Sequence, residues 1–395
     1  MCHIIAKPPF PLNADARKTA TSGLQHIANV MAICYTIVAM DEVKPFFSLV
    51  IPCCDVEPYV RACLDSVLEQ KFSSWECLIG VETSKDDTEK IVREYEARDS
   101  RFKVFTGPRS GSCSASRNTG TDMATGEYVI FLDGDDTIEK ESLSRLAEQI
   151  RARPGADLYP CAIVVHNELT GRNDEIRDNY PQGFSYELTG SAATLLLEER
   201  FRHSFPCPML QLTVFRREFL VEHDLKCIYG LRHQDSEFSP RALYLAKRVI
   251  PLHEPFYLYR IRTGSVQTKA KGAGYFYKDL AIRLKSLLAF HAAKSNEPGF
   301  DRRIGKAWAR RWTTTIFAKW FGKGFVAEIP REERLATLDI LFADGFGDFD
   351  ALLKSASPVR RLAAYFVKAF VRNPSRRGLA EKFFAHIYFP LLKRF

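Results

Sequence analysis

No run of this 395-residue sequence has the length and apolarity of a membrane-spanning helix. The nearest approach, residues 27–40, is short and interrupted by Asn29 and Thr36. It is a poor secretory signal too, because the basic residues lie well upstream and the flank is acidic. The ten cysteines contain no Cys-x-x-Cys pair and no metal-ligand spacing. Buried, reduced thiols in a cytoplasmic protein explain them better than a disulfide framework. No Gly-x-Gly-x-x-Gly follows the first predicted strand, which argues against a classical dinucleotide site, and no Walker motif marks a P-loop enzyme. There is no internal repeat and no low-complexity segment. Acidic residues are nearly missing from the last stretch: Glu381 alone stands against nine Lys/Arg between residues 355 and 395.

What is present suffices for a packed core: 46% of residues are hydrophobic and 12% aromatic. The net charge of +8 suits phosphorylated ligands, an anionic membrane surface or nucleic acid. The nucleic-acid reading is the weakest, since the basic excess lies in the tail without a recognition motif.

One stretch organises the rest. Tyr128-Val129-Ile130-Phe131-Leu132 has the pattern of a buried strand, and it ends in Asp133-Gly134-Asp135-Asp136. Three carboxylates within four residues repel one another, so they call for a compensating charge, such as a divalent cation held by phosphates. The bland alternative is a solvated acidic turn. The surroundings weigh against it. Residues 46–52, 75–81 and 102–105 read as three earlier strands. They alternate with helical periods at 56–70, 88–99 and 111–124, and another helix is predicted over 139–151. This alternation predicts a doubly wound, mainly parallel α/β sheet. Such sheets bind ligands at the carboxyl ends of their strands. A second acidic loop, Glu82 to Asp87, falls on that same rim.

Further on, 158–165 and 211–215 read as strands, 216–223 as a helix and 256–261 as a strand. Polar residues from Leu231 to Phe238 open a helix reaching about Leu245. Helices are predicted over roughly 274–294, 301–324 and 331–343. The expected organisation is a poorly packed leader (1–44), a catalytic domain (45–270) and a helical extension with a basic amphipathic tail (271–395). Met40 is an alternative natural start.

Several ordered motifs across residues 46–265 resemble an inverting family-2 glycosyltransferase with the GT-A fold, of the type that builds bacterial surface polysaccharides. Val50-Ile51-Pro52 and Cys63-Leu64-Asp65-Ser66-Val67-Leu68 resemble its first strand and helix. Ser114-Ala115-Ser116-Arg117-Asn118-Thr119-Gly120 resembles its Ser-Ala-x-Arg-Asn-x-Gly motif. Asp133-Gly134-Asp135 matches Asp-x-Asp, and His233-Gln234-Asp235-Ser236-Glu237-Phe238 resembles the segment that carries the catalytic base. The chain departs from the pattern at Glu82, where the family usually has Asp, at Gln234, usually Glu, and at Cys53-Cys54.

The resemblance implies a hexosyl- or N-acetylhexosaminyl-transferase that uses a nucleotide-sugar, with a UDP-sugar favoured. Its acceptor would be a glycan or a lipid-linked hydroxyl. It implies Asp235 as general base, Asp133 and Asp135 as ligands of Mn²⁺ or Mg²⁺, and donor contacts from Pro52, Asp55, Glu82, Arg117, Asp133 and Gly134. Arg260, Arg262 and Ser265 would clamp phosphate.

Other readings stand beside these. Asp235 can cap its helix, Arg117 can pair structurally with Asp133 or Glu127, and Arg262 can form a surface ion pair. His233 and His253 read as structural, and Trp308, Trp312, Trp320 and Phe317 as helix packing. A non-catalytic sugar-nucleotide or partner-binding domain is the alternative function. A nucleotidyltransferase would need a Gly-rich basic loop where Pro52-Cys53-Cys54-Asp55 stands.

In the tail, Val359, Leu362, Ala363, Phe366, Val367 and Phe370 recur at helical spacing beside basic residues. That pattern predicts either peripheral attachment to the inner face of the cell membrane or packing back on the protein.

Overall fold

The computed structural model describes residues 44–168, 172–178, 180, 187–200, 210–262, 275–321, 330–373, 375 and 377–389. Ser265 and residues 1–43 lie outside them, as do Arg376, Lys393 and Arg394 of the tail.

β1 (Phe47–Cys53) and β2 (Trp75–Glu82) are buried at every position. This is what continuous apolar runs produce when both faces of a parallel sheet are covered. Between them lies α1 (Glu57–Leu68), with Pro58 in its first turn. α2 (Thr88–Arg98), β3 (Phe102–Gly107), α3 (Ser114–Met123) and β4 (Tyr128–Phe131) follow. β1 pairs in parallel with both β2 and β4, and β2 with β3.

The sequence predicts α4 from Glu139, but the helix begins at Ser142 and runs to Ala152. The preceding residues are committed elsewhere. β5 (Thr137–Ile138) pairs with a later strand, and the Glu139 amide donates to the Phe256 carbonyl at 2.7 Å. The single strand predicted over 158–165 is two: β6 (Leu158–Pro160) and β7 (Ala162–Asn167). Pro160 has no amide hydrogen to extend the ladder. Cys161 then bonds to the Leu212 carbonyl at 2.7 Å as the chain changes sheet. β8 (Arg172–Arg177) pairs antiparallel with β7.

After α5 (Gly190–Arg200) come β9 (Thr213–Arg216), α6 (Arg217–Glu222), α7 (Asp235–Leu245) and β10 (Pro255–Ile261). The larger, mixed sheet has the order β3-β2-β1-β4-β9-β6, and the smaller has β5-β10-β7-β8. In the larger sheet the order reverses between β1 and β4, which opens a crevice at their carboxyl ends. Leu49, Ile51 and Ile130 pack on one side of that sheet, and Val50, Val129 and Phe131 on the other.

The rest is helical. α8 (Tyr275–Ser295) and α9 (Arg302–Ile316) enclose a separate apolar cluster containing Trp308, Trp312, Phe317 and Trp320. α9 passes into a wide turn at Phe317–Phe321. α10 (Arg331–Ala336), α11 (Leu338–Leu341), α12 (Gly347–Leu353), α13 (Pro358–Arg372) and α14 (Arg377–Phe383) complete it. No helix among the described residues is long and apolar enough to cross a membrane.

The apolar face predicted for the tail divides. Ala363, Val367 and Phe370 are buried in the helical core, and Phe366 stacks on Phe383 with ring centroids 4.0 Å apart. Val359, Leu362 and Tyr365 stay exposed on α13, and Leu379 and Ile387 stay exposed after it. Packing back therefore accounts for the larger part of that face. Several of its cations also turn inward. Arg360 donates to Thr313 and Thr314 at 3.0 and 2.7 Å, Arg361 to backbone carbonyls, and Lys368 pairs with Asp350.

Candidate active site

Leu132 continues β4 by one bond, its amide donating to Val50 O at 3.1 Å. The chain then turns across the end of β1, where Gly134 N donates to Pro52 O at 3.3 Å. A Cβ on Gly134 would lie 2.8 Å from Cys53 Sγ, so only glycine fits this crossing. The three aspartates thus emerge at the crevice between β1 and β4.

Each carboxylate has a different environment. Asp133 is held on both oxygens: Arg117 Nη2 reaches Oδ1 at 2.5 Å and Gln211 Nε2 reaches Oδ2 at 2.6 Å. Arg117 is buried on α3. Burial is the largest influence on it and works against its charge, the Asp133 carboxylate is the main opposing one, and the guanidinium stays protonated. The structural pairing of Arg117 with Asp133 is therefore real, whatever else Arg117 does.

Asp136 is also buried. Its Oδ2 accepts from the Tyr257 hydroxyl at 2.6 Å and its Oδ1 from the Arg260 amide at 2.8 Å. Burial first, then Asp135 and Asp133, push its carboxyl well above the usual range. Tyr257 also accepts from the Asp133 amide at 3.2 Å, so one hydroxyl bridges both ends of the turn.

Asp135 faces Arg262, whose Nε and Nη2 meet Oδ2 at 3.0 and 2.7 Å. Burial and Asp133 raise its carboxyl, and Arg262 opposes them. Arg262 in turn lies over the Tyr59 ring at 4.4 Å. Arg260 bonds the Asp135 carbonyl at 3.1 Å and pairs with Glu168.

The loops after β1 and β2 interlock beside this turn. Asp55 adopts φ 51°, a left-handed conformation that Asp tolerates better than most residues. It accepts from the Lys85 amide at 2.8 Å and pairs with Arg109, which holds its carboxyl below the usual range. Glu82 spends both oxygens on Ser110, with the amide at 2.8 Å and the hydroxyl at 2.5 Å. The carboxylate expected near a nucleotide base therefore also fixes the loop leading into α3. Cys54 lies beside Arg109, Asp55 and Glu82, and burial raises its thiol. Among the described residues all seven cysteines are free thiols.

Asp235 opens α7. Its Oδ1 accepts from the Ser236 amide at 2.8 Å, while the N-cap position falls to Gln234, whose side chain makes no capping bond, so the helix-cap reading of Asp235 does not hold. His233 just before it has φ 49°. Burial lowers the imidazole, with Asp235 opposing and Arg283 reinforcing that shift, so it reads as a neutral structural group. The loop ahead of α7 rests on the start of α3, where Gly230 N donates to Ser114 Oγ at 2.8 Å. Asn118 and Cys227 exchange two bonds of 2.8 Å. α3 is thus the shared support: it presents Arg117 to Asp133 and carries the segment that ends in Asp235.

Sequence reasoning missed Gln211, Tyr257 and Arg109. A lone Gln before a strand, or a Tyr within one, gives no local signal. Their partners lie 78 and 121 residues away.

A metal would find no closed protein cage here. Among the described residues no group of three or more His, Cys, Asp or Glu is arranged to hold one. The donor set fits a cation held by one or two carboxylates together with ligand phosphates.

The comparisons with known proteins agree with this fold. Residues 48–215 match the model of Glycosyl transferase family 2. EpsJ of Bacillus subtilis (strain 168), an uncharacterized glycosyltransferase, is 28% identical over 56% of this chain and 63% of its own length. A GalNAc(5)-diNAcBac-PP-undecaprenol beta-1,3-glucosyltransferase of Campylobacter jejuni is 29% identical over 49% of this chain and 67% of its own. The match therefore spans less than two thirds of EpsJ. The crystal structure of S. aureus TarS 1-349 in complex with UDP-GlcNAc superposes with a TM-score of 0.61. That match covers 86% of this chain and 91% of the other at 20% identity, which establishes the GT-A fold alone.

Proposed function

We propose that the chain is an inverting glycosyltransferase of surface polysaccharide synthesis. It would move a hexosyl or N-acetylhexosaminyl group from a nucleotide-sugar, a UDP-sugar by preference, to a hydroxyl of a glycan or lipid-linked acceptor. The observation that carries this reading is Asp133-Gly134-Asp135 at the switch crevice, with Arg262 on Asp135 and Arg117 on Asp133.

In this reading the acceptor oxygen forms a bond to the anomeric carbon as the bond from that carbon to the diphosphate oxygen breaks. The nucleoside diphosphate leaves with the electron pair, and the acceptor proton passes to Asp235. Asp135, with Asp133 beside it, would hold Mn²⁺ or Mg²⁺, which supplies charge to the departing diphosphate. Arg262 and Arg260 would bond phosphate oxygens in this reading, and Pro52, Asp55, Glu82 and Gly134 would line the nucleotide side. The Ser265 assignment falls outside the described residues.

A screen of UDP-, GDP- and TDP-sugars with Mn²⁺, reading nucleoside diphosphate release, tests the activity. Release of inorganic pyrophosphate instead would indicate a nucleotidyltransferase. Binding without turnover would support the non-catalytic alternative. For location we propose peripheral attachment to the cytoplasmic face of the membrane. Its support is Val359, Leu362, Tyr365 and Ile387 exposed on the same tail segments as Arg372 and Lys382.

A further inference from the structure

The start of α7 is gripped by a helix from outside the family-2 match. Three polar residues of α8, one turn or less apart, reach it: Asp279, Arg283 and Ser286. Arg283 Nη1 donates to Ser236 Oγ at 2.5 Å, and Ser236 Oγ donates to the His233 carbonyl at 2.8 Å. Ser286 Oγ donates to Glu237 Oε1 at 2.6 Å. Asp279 Oδ2 lies 3.8 Å from Arg232 Nη1, and Arg232 stacks on Tyr275 at 3.7 Å. These contacts bracket Asp235 from both sides in sequence.

Arg283 is the costly member of the set. It is 9% exposed, and burial works against its charge. Asp235 and Asp279 are the carboxylates that oppose that loss. A buried guanidinium without nearby anions is strongly unfavourable. The charged and titratable groups around Asp235 can be sorted. Asp279 pairs with Arg232, His233 is held neutral, and Cys227 is a buried thiol. Glu237 is bound by Arg241 at 2.7 Å. Arg283 is held by the Asp279 carbonyl at 3.4 Å and by Ser236, with the charges of Asp235 and Asp279 both favouring its protonated form.

We propose that Arg283 is a positioning residue for the base at Asp235. Anchored on α8 and bonded to Ser236, the residue after Asp235, it fixes the entry of α7 and with it the place of the Asp235 carboxylate. The helical extension is then part of the catalytic apparatus and not only an appendage. This rests on the reading of Asp235 as base.

The test compares Arg283→Met and Arg283→Lys with wild type in the full chain. The probes are UDP-glucose, UDP-galactose, UDP-N-acetylglucosamine and UDP-N-acetylgalactosamine with Mn²⁺, and UDP release is followed against donor concentration. Losing the Arg283–Ser236 bond should loosen the entry of α7 and misplace Asp235 without touching the donor site. Turnover near neutrality should fall about tenfold or more with donor KM within about twofold, and Arg283→Lys should recover most of it. Turnover of Arg283→Met within about twofold of wild type overturns the proposal.

Amide hydrogen exchange over residues 233–238 supplies a readout that needs no turnover. It should accelerate in Arg283→Met and less in Arg283→Lys, and unchanged exchange overturns the clamp. Asp235→Asn separates the two ideas. If it turns over like wild type, the base assignment fails, while exchange still judges the clamp.

Discussion

Arg262 closes on Asp135 from the smaller sheet, with Nε and Nη2 both on Oδ2 at 3.0 and 2.7 Å. The pair answers a local conflict. Asp133, Asp135 and Asp136 crowd one turn, and burial and mutual repulsion raise the last two. A guanidinium that neutralises this turn can also bond a diphosphate, because its fork of N–H donors matches pairs of carboxylate or phosphate oxygens. Arg262→Ala should therefore raise donor KM by about tenfold or more, the scale of a charge-assisted hydrogen bond. Arg262→Lys should recover only part, since ammonium is a point charge. Donor titration of UDP release measures this, and a KM within about twofold of wild type argues against the assignment.

Asp235→Asn removes the proton acceptor while keeping an oxygen that can accept the Ser236 amide. The local bond is kept and only the proton acceptor is lost. Turnover should drop by at least roughly 10²-fold, with donor binding little changed. A loss below about tenfold, with chemistry shown to be rate-limiting, would move the role to another residue.

How much of this was legible in the sequence depends on where each signal lives. β1, β2 and β4 were, because a strand buried on both faces writes itself as a continuous apolar run. α1 was, because Val60, Cys63, Leu64 and Val67 follow the helical period. The single strand over 158–165 was misread, since its apolar pattern runs on through the sheet change at Pro160 and Cys161. β8, with the sequence Arg-Asn-Asp-Glu-Ile-Arg, offers no apolar alternation to read. At the site, the Asp-x-Asp turn announces itself, but its partners do not. Gln211, Tyr257 and Arg283 reach their places through tertiary packing, and nothing near them in sequence encodes it. The tail pattern was visible, yet amphipathicity alone does not say whether an apolar face meets lipid or protein. Phe366 on Phe383, and Val367 and Phe370 in the core, decide most of it for protein.

His291 on α8 is fully buried, and both ring nitrogens lack a hydrogen-bond partner. Phe300, Trp308 and Trp312 surround it edge to face. Burial brings it down to about 4 from the usual 6.5. The folded state therefore binds this proton less well than the unfolded chain. Its contribution is intact above about pH 6.5 and is lost as pH falls towards about 4, up to a total on the order of 3 kcal/mol. His291→Phe should flatten that part of the stability profile and raise the melting temperature at pH 5 relative to wild type. Parallel Tm-against-pH curves for the two proteins would count against the assignment.

The tail prediction must respect the packing of α13. Truncation after Ala356 would strip Val367 and Phe370 from the helical core and unfold it, so point changes are the sound test. Val359→Ser, Leu362→Ser and Tyr365→Ser together touch only the exposed flank. Wild type should float with anionic vesicles at low salt and release them at high salt. The triple variant should bind less while keeping its Tm. Failure of wild type to bind at low salt removes the membrane reading.

The central claim is that the aspartate turn at the β1–β4 crevice drives sugar transfer. Its most direct test is UDP release from the best UDP-sugar of the panel, for wild type and Asp135→Ala, with Mn²⁺ and in chelator. Wild type should turn over with Mn²⁺ and stop in chelator, while Asp135→Ala stays folded and inactive in both. Undiminished UDP release by Asp135→Ala in chelator would falsify the account.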